Sequence, residues 1–177
     1  MQIGYTATEK FDPSHGERWQ KYVRWSGLSQ VNQIVSLDGL LCPNLVKELT
    51  QEDWKHNLFE KGMLFCFQNL EYVILRIGNN IAHYNILAVM KNPSTAINDI
   101  RINGFEFLGY DLIEKDGEIS ALTNCGGFEN AFDNSELSEY GLITDYQRVC
   151  QINKFLYENN PSDPHACCDI WAIWRLQ

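Results

Sequence analysis

The chemically most suggestive residues of this sequence are Asn124-Cys125-Gly126-Gly127, in which a cysteine follows a predicted strand and precedes two glycines. A thiol exposed at such a position can act as a nucleophile, and the backbone amides of Gly126 and Gly127 can line an oxyanion hole. The base has to come from elsewhere in the chain, and His165 is the best candidate. The alternative is a tight turn with Cys125 buried at its start. One hypothesis is therefore a thiol-dependent hydrolase that uses Cys125 with His165.

Metal and cofactor sites are not indicated by the remaining candidate ligands. His165 and Cys167 place two potential zinc ligands close together, but no second pair accompanies them. No two cysteines have C-x-x-C spacing, and without a secretion signal we expect reduced thiols, most of them small buried residues. The sequence also contains no phosphate-binding loop, no H-E-x-x-H and no G-x-S-x-G. We therefore expect no metal, no cofactor and, in the leading hypothesis, no enzyme. The six cysteines are Cys42, Cys66, Cys125, Cys150, Cys167 and Cys168.

The charge of the chain is unevenly distributed along the sequence. The 177 residues include 23 Asp plus Glu and 14 Lys plus Arg, for a formal charge of −9. Residues 1–105 and 146–177 are each neutral, so the whole excess lies in residues 106–145, which hold ten acids and one base, Lys115. A surface potential of one sign attracts and orients a partner of the opposite sign. The alternative is a solvated acidic face that only aids solubility.

Composition also excludes several classes of protein. A net negative chain is not typical of a general nucleic-acid binder, so we expect no direct contact with nucleic acid. No apolar run approaches the ~18 residues of a membrane span. The first ten residues lack the basic and apolar segments of a signal peptide, which predicts a cytoplasmic protein. The length favours one domain over residues 1–177, with residues 1–16 loosely ordered.

Alternating runs of apolar and polar residues predict the strands of a sheet. Residues 105–114 alternate, Asp116-Gly117 is a turn dipeptide, and residues 119–123 return as the second strand of a hairpin. Residues 165–176 are apolar on both faces, which indicates a strand inside a sheet. Further strands are predicted at residues 18–25 and 84–90.

Helix signals lie between these strands. Pro43 suits the first turn of a short helix through residue 49, and Thr50 is a predicted N-cap for a second helix. Thr144 begins a capping box, and Pro161 ends the helix that follows it. Residues 63–77 do not distinguish helix from strand. A hairpin with segregated helices predicts an α+β fold: a single domain whose mainly antiparallel sheet has helices packed on it.

From about residue 25 onward the chain resembles a group of small bacterial proteins. The residues that carry this likeness lie at 105–112 (FEFLGYDL), 120–128 (SALTNCGGF), 134–137 (NSEL) and 165–174 (HACCDIWAIW). These stretches contain no catalytic signature, so the resemblance implies no active-site residue. In size, acidity and cytosolic character the chain also resembles the immunity proteins of contact-dependent growth-inhibition and related polymorphic toxin systems.

The second resemblance implies a protein partner, namely a basic toxin domain that is commonly a nuclease. A nuclease presents positive charge to phosphate, and an acidic protein surface can imitate that substrate. The leading hypothesis is therefore an inhibitor that covers the toxin through an acidic surface. The alternatives are the thiol hydrolase and a structural domain with no basic partner. The predicted partner-binding residues are the acids Glu114, Asp116, Glu118, Glu129, Asp133, Glu136 and Glu139 and the aromatics Phe128, Phe132 and Tyr140.

Overall fold

An antiparallel sheet of four strands runs through the described part of the chain. The strands are β1 (Gly4–Glu9), β2 (Tyr84–Lys91), β3 (Phe105–Glu114) and β4 (Cys168–Leu176), in the spatial order β1-β2-β4-β3. Every neighbouring pair is antiparallel, so the predicted α+β class is confirmed. The computed structural model describes residues 2–10, 16–28, 34–49, 53–59, 66–115, 117, 119–123, 128 and 130–177.

Strand β4 lies between β2 and β3, as its apolar character on both faces predicted. Ala172 and Trp174 belong to one core, and Trp171 and Ile173 belong to another on the opposite face. All four side chains are fully buried. Successive residues of a strand point to opposite faces, so a central strand that is covered on both sides must be apolar throughout.

Four α-helices and several short 3₁₀ turns connect the described strands. The helix Tyr146–Asn159 (α4) covers one face of the sheet with a row of buried residues, Val149, Ile152 and Leu156. The helix Leu70–Ile77 (α3) packs near β1 through Val73 and Ile77. The helices are α1 (Glu17–Ser26), α2 (Trp54–Asn57), α3 (Leu70–Ile77) and α4 (Tyr146–Asn159), and the turns are Leu45–Glu48, Gly78–His83, Ala121–Thr123, Asn134–Glu136 and Pro164–Ala166.

The strand predicted at residues 18–25 is wrong, because these residues form helix α1. The large side chains Trp19 and Tyr22 are three positions apart, which places them on one face of a helix. Both are buried in the same small core and their rings meet edge to face at 5.8 Å. Gly27 ends the helix in the left-handed conformation, and its amide donates to the carbonyl of Val23.

The prediction of a second hairpin strand at residues 119–123 is also wrong. Residues 105–114 form β3 as predicted, but among the described residues 119–123 only Ser120 pairs with it, in an isolated bridge to Ile113. Ala121–Thr123 forms a 3₁₀ turn instead, and β4 takes the position beside β3. The turn residue Asp116 lies outside the described residues.

Other element boundaries differ from the sequence-based expectation. Residues 4–9 form β1, so the prediction of a loosely ordered start is wrong for that segment, whereas residues 11–15 lie outside the description. The N-cap of α4 is Asp145 rather than Thr144, because the Asp145 side chain accepts the amide proton of Arg148 at 2.6 Å. Helix α4 ends at Asn159, which is consistent with the predicted stop at Pro161.

Three helix predictions in the first half have mixed outcomes. The turn that follows Pro43 is a 3₁₀ turn capped by Asn44, shorter than the predicted helix. The predicted cap Thr50 is outside the described residues, and α2 begins at Trp54. The ambiguous region 63–77 contains helix α3 at its end.

Both outer edges of the sheet are partly covered by other segments. Tyr5 of β1 exchanges two backbone hydrogen bonds with Phe67, at 2.8 and 2.7 Å. Tyr110 of β3 exchanges two with Ile143, at 2.8 and 3.1 Å. Such bonds occupy donors and acceptors that would otherwise be open to pairing with another chain.

Gly109 allows the segment at Ile143 to approach β3 this closely. It lies at a bulge of β3 with φ 144°, and a Cβ there would be 2.9 Å from both the Ile143 carbonyl oxygen and the Leu142 Cβ. We expect Gly109→Ala to lower the free energy of unfolding by about 2–4 kcal/mol, measured by urea denaturation. The matched control is Gly27→Ala, with φ 68° and no atom within 4 Å of the added Cβ, which should cost about 1 kcal/mol. Equal losses in the two variants would contradict this account of Gly109.

Candidate functional site

The ten acids of residues 106–145 do not share one environment. Seven of them are described, and Asp116, Glu118 and Glu129 lie outside the described residues. One of the seven, Asp111, is buried. Two others, Glu114 and Glu136, contact a histidine and an arginine side chain, respectively. The remaining four are exposed: Glu106, Asp133, Glu139 and Asp145.

Asp111 is completely buried on the face of the sheet that carries Trp171. One carboxylate oxygen accepts hydrogen bonds from the Ser36 hydroxyl at 2.9 Å and the Leu37 amide at 3.1 Å. The other accepts from the Leu112 amide at 2.8 Å and from the Ser120 hydroxyl. Burial raises the pKa of Asp111 above its ordinary value, although these hydrogen bonds oppose the shift.

A second fully buried carboxylate, Asp38, joins the same network. Its oxygens accept from the amides of Leu40 and Leu41 at 2.9 and 3.1 Å, and from the Ser120 amide at 3.2 Å and the Thr123 hydroxyl at 2.6 Å. Ser120 therefore donates to both aspartates, with its amide to one and its hydroxyl to the other. We call Ser36, Asp38, Asp111, Ser120 and Thr123 the buried aspartate network. It connects β3 with two segments that are distant in sequence.

Glu114 contacts His165 at the end of β3. The Nδ1 atom of His165 lies 2.5 Å from a carboxylate oxygen of Glu114, whose side chain is 13% exposed. Gly117 leaves space for this carboxylate, since a Cβ there would be 1.7 Å from the second oxygen. A carboxylate on Nδ1 orients an imidazole and leaves Nε2 available, which is half of the arrangement that a general base requires.

Glu136 forms an ion pair with Arg148 of α4. Arg148 donates through both Nε and Nη2 to the two carboxylate oxygens, and Nη2 also donates to the carbonyl of Ala131 at 3.1 Å. Hydrogen bonding with Arg148 lowers the pKa of Glu136 and raises that of Arg148. Glu136 therefore holds the turn at residues 134–136 against α4, and its charge is already compensated.

Asp133, Glu139 and Asp145 are exposed. Asp133 caps the turn Asn134–Glu136, and hydrogen bonds from Ser135 lower the pKa of Asp133. Asp145 caps α4. A capping carboxylate accepts backbone amide protons and remains charged, so both residues combine a structural role with exposed negative charge. We call Asp133, Glu139 and Asp145 the acidic surface.

The predicted aromatic contacts are less exposed than an interface anchor requires. Phe128 is 6% exposed and belongs to the main core, so little of its ring is accessible to a partner in this structure. Phe132 is half-buried and meets Trp25 edge to face at 5.8 Å. Tyr140 is half-buried beneath the guanidinium of Arg175, at 4.9 Å from the ring centre.

Cys125, the predicted nucleophile, lies outside the described residues, so its position relative to His165 is not described. Cys42, Cys66 and Cys168 are buried free thiols. Burial raises the pKa of the Cys168 thiol to about 12, and burial likewise raises that of Cys42. Thiols that stay protonated are poor nucleophiles, which agrees with the expectation that most cysteines here are small buried residues.

The buried aspartate network could not be found from the sequence. Ser36 and Asp111 are 75 positions apart, and no motif links them. The only signal was the acid at position 111 in an otherwise apolar part of a predicted strand.

Comparisons with protein-family models, curated proteins and solved structures find no match to this chain. Within the described residues, no group of three or more His, Cys, Asp or Glu side chains could hold a metal ion. None of the described helices combines the length and apolar character that crossing a membrane requires.

We expect Asp111→Asn to destabilise the protein by about 1–3 kcal/mol near neutral pH, because the amide nitrogen cannot accept the bonds made by one carboxylate oxygen. The folded-state pKa of Asp111 is raised, so its contribution to stability is full below the unfolded pKa and is lost as pH rises through the folded pKa. The deficit of the variant should therefore grow when urea unfolding is repeated at successively lower pH, towards the ordinary pKa of an aspartate. Asp133→Asn removes an exposed carboxylate and keeps a capping oxygen, and should cost less than about 0.5 kcal/mol. A deficit that shrinks on acidification would contradict the assignment.

Proposed function

We propose that this chain is an immunity or inhibitor protein of the bacterial cytoplasm that binds and neutralises a basic toxin domain, with a nuclease as the first candidate. The observation that carries the proposal is the acidic surface, whose three exposed carboxylates lie within residues 133–145. The surrounding segment, residues 106–145, contains a single base, Lys115. We leave Glu114 and Glu136 out of the proposed binding surface, because their carboxylates contact His165 and Arg148.

Two of the three carboxylates of the acidic surface, Asp133 and Asp145, are held in place before any partner arrives. Asp133 accepts the amide of Ser135 at 2.8 Å, and Asp145 accepts the amide of Arg148 at 2.6 Å. The Glu136–Arg148 pair fixes the intervening turn to α4. Side chains that are already ordered lose little conformational entropy on binding, so their charges contribute more of the net affinity.

The mechanism needs no chemistry on the inhibitor side. A nuclease binds its substrate largely through cationic groups that neutralise phosphates. Inhibitor carboxylates placed where the phosphates bind would contact the same cationic groups of the nuclease and exclude nucleic acid. Complementary potentials mainly accelerate association, and this rate falls as salt screens the charges.

The first test uses the reading frame directly upstream of the gene that encodes this chain, expressed alone and together with it. The proposal expects growth arrest from the upstream product alone and growth when both are present. It also expects the two purified proteins to form a complex. An upstream product that is harmless, or that arrests growth equally in both strains, would contradict the proposal.

Removing the charge of the acidic surface should weaken the complex without unfolding the chain. The variant Asp133→Asn/Glu139→Gln/Asp145→Asn keeps both capping oxygens and removes three charges. We expect at least a tenfold loss of affinity at low salt, mostly from slower association measured by surface plasmon resonance, and a smaller loss at high salt.

The matched control removes three exposed charges elsewhere, with Glu17→Gln, Glu71→Gln and Glu158→Gln. It should change affinity less than threefold at either salt concentration. If both triple variants bind equally well at low salt, net charge rather than this surface is responsible, and the proposed interface is wrong.

A thiol-dependent hydrolase remains the second candidate, and the Glu114–His165 contact is the observation that favours it. In that case Cys125→Ser and His165→Gln should each abolish hydrolysis of an activated thioester such as a nitrophenyl thioacetate. Under the inhibitor proposal, neither substitution nor alkylation of Cys125 should change affinity for the toxin more than about twofold. If both variants lose thioester hydrolysis but still bind the toxin, the hydrolase activity is a second function of the protein, and the inhibitor function stands beside it.

A further inference from the structure

Strand β2 extends beyond its pairing with β4 and leaves a cleft at that end of the sheet. The register between the two strands begins at Leu87 and Arg175, so Tyr84 and Asn85 pair with β1 alone. The cleft has a volume of about 540 Å³ and lies between the first residues of β2 and the last residues of β4. We call it the β2–β4 cleft. The residues that matter here are Lys10, Tyr84, Asn85, Ile86, Arg175 and Leu176.

Asn85 is a buried polar residue that lines this cleft. Its exposed fraction is 7%, and it lies in the wall of the cleft. Thr8 faces Asn85 directly in the β1–β2 register, and its buried hydroxyl has no hydrogen-bond partner among the described residues. Buried polar groups are nearly always hydrogen-bonded, and an exception is destabilising. The unpartnered Thr8 hydroxyl and the Asn85 amide lie side by side at this cleft, which favours a polar ligand there.

Two cations line the same cleft, on a chain whose net charge is negative. Lys10 is held at the cleft by a bond from its Nζ to the carbonyl of Ala82, at 2.9 Å. The Arg175 guanidinium lies 4.9 Å from the ring centre of Tyr140 and forms a long ion pair with Glu106, at 3.9 Å, which is beyond hydrogen-bond distance. A guanidinium has five N–H donors, so it can bind a further acceptor in a bidentate manner.

We propose that the β2–β4 cleft binds a small carboxylate, either a free organic acid or the C-terminus of a peptide. Arg175 holds the two carboxylate oxygens and Lys10 adds a second positive charge. The Asn85 amide donates to the same group or to the adjacent amide of a peptide. Tyr84, Ile86 and Leu176 form the apolar wall for an aliphatic side chain. This proposal does not depend on the function proposed for the acidic surface.

The test is titration of the full chain with three probes, followed by two-dimensional ¹H–¹⁵N NMR of the Asn85 side-chain amide and the Arg175 Nε. N-acetyl-leucine represents a free acid, and glycyl-glycyl-leucine represents a peptide C-terminus. N-acetyl-leucine amide has the same shape without the charge. We expect saturable shifts at both residues with one or both carboxylates, and at least tenfold weaker binding of the amide. Comparison of the two carboxylates distinguishes the sources.

Substitutions in the cleft provide the second arm. Asn85→Asp adds a negative charge with almost no change of shape, and should lower carboxylate affinity at least tenfold. Asn103→Asp makes the same change at an exposed position outside the cleft and should change affinity less than twofold. Lys10→Met tests the exposed cation, with Lys47→Met as its control, and is informative even if Asn85→Asp fails to fold.

Three results would overturn the proposal. The first is no saturable shift with either carboxylate. The second is equal binding of the amide and the acid, and the third is binding that Lys10→Met and Asn85→Asp leave unchanged. Titration with inorganic phosphate completes the set, since tighter binding of phosphate than of both carboxylates would show that the ligand class is wrong.

Discussion

The buried aspartate network is the interaction on which the described fold most depends. Two carboxylates, Asp38 and Asp111, are fully buried, and hydroxyl and amide donors offset the large cost of their desolvation. Those donors come from the segment at Ser36, from β3 and from the turn after Ser120. None of the three segments can move away without removing hydrogen-bond donors from a buried carboxylate. The network therefore fixes the irregular segments to the sheet more specifically than apolar contact alone would.

The acidic residues of positions 106–145 have three different physical roles. Asp111 organises the interior, Glu136 forms an ion pair that joins a turn to α4, and Asp145 caps a helix while it remains exposed. A count of charges along the sequence treats these acids as equal. Only the exposed ones contribute strongly to the potential that a partner experiences, so the effective surface is smaller than the forty-residue segment suggested.

Local patterns predicted the parts of this fold whose cause is local. Strands β2, β3 and β4 follow from runs of buried or alternating residues, and the antiparallel α+β class follows from them. Helix α1 was missed because Trp19 and Tyr22 were interpreted at the wrong period. The partner of β3 was missed because a nearby turn dipeptide favoured a hairpin, whereas the true partner is more than fifty residues away. The contacts of Asp38 and Asn85 depend on strand order and register, which no local pattern contains.

The position of β4 in the sheet has a consequence for how the protein is made. Residues 168–176 fill the place between β2 and β3, yet they leave the ribosome after the other three described strands. Until then the edges of β2 and β3 that face each other lack the strand that joins them, and the two faces of the core cannot close. The described sheet therefore cannot be completed before β4 has been synthesised, and the apolar strands made earlier stay open to non-native contacts until then.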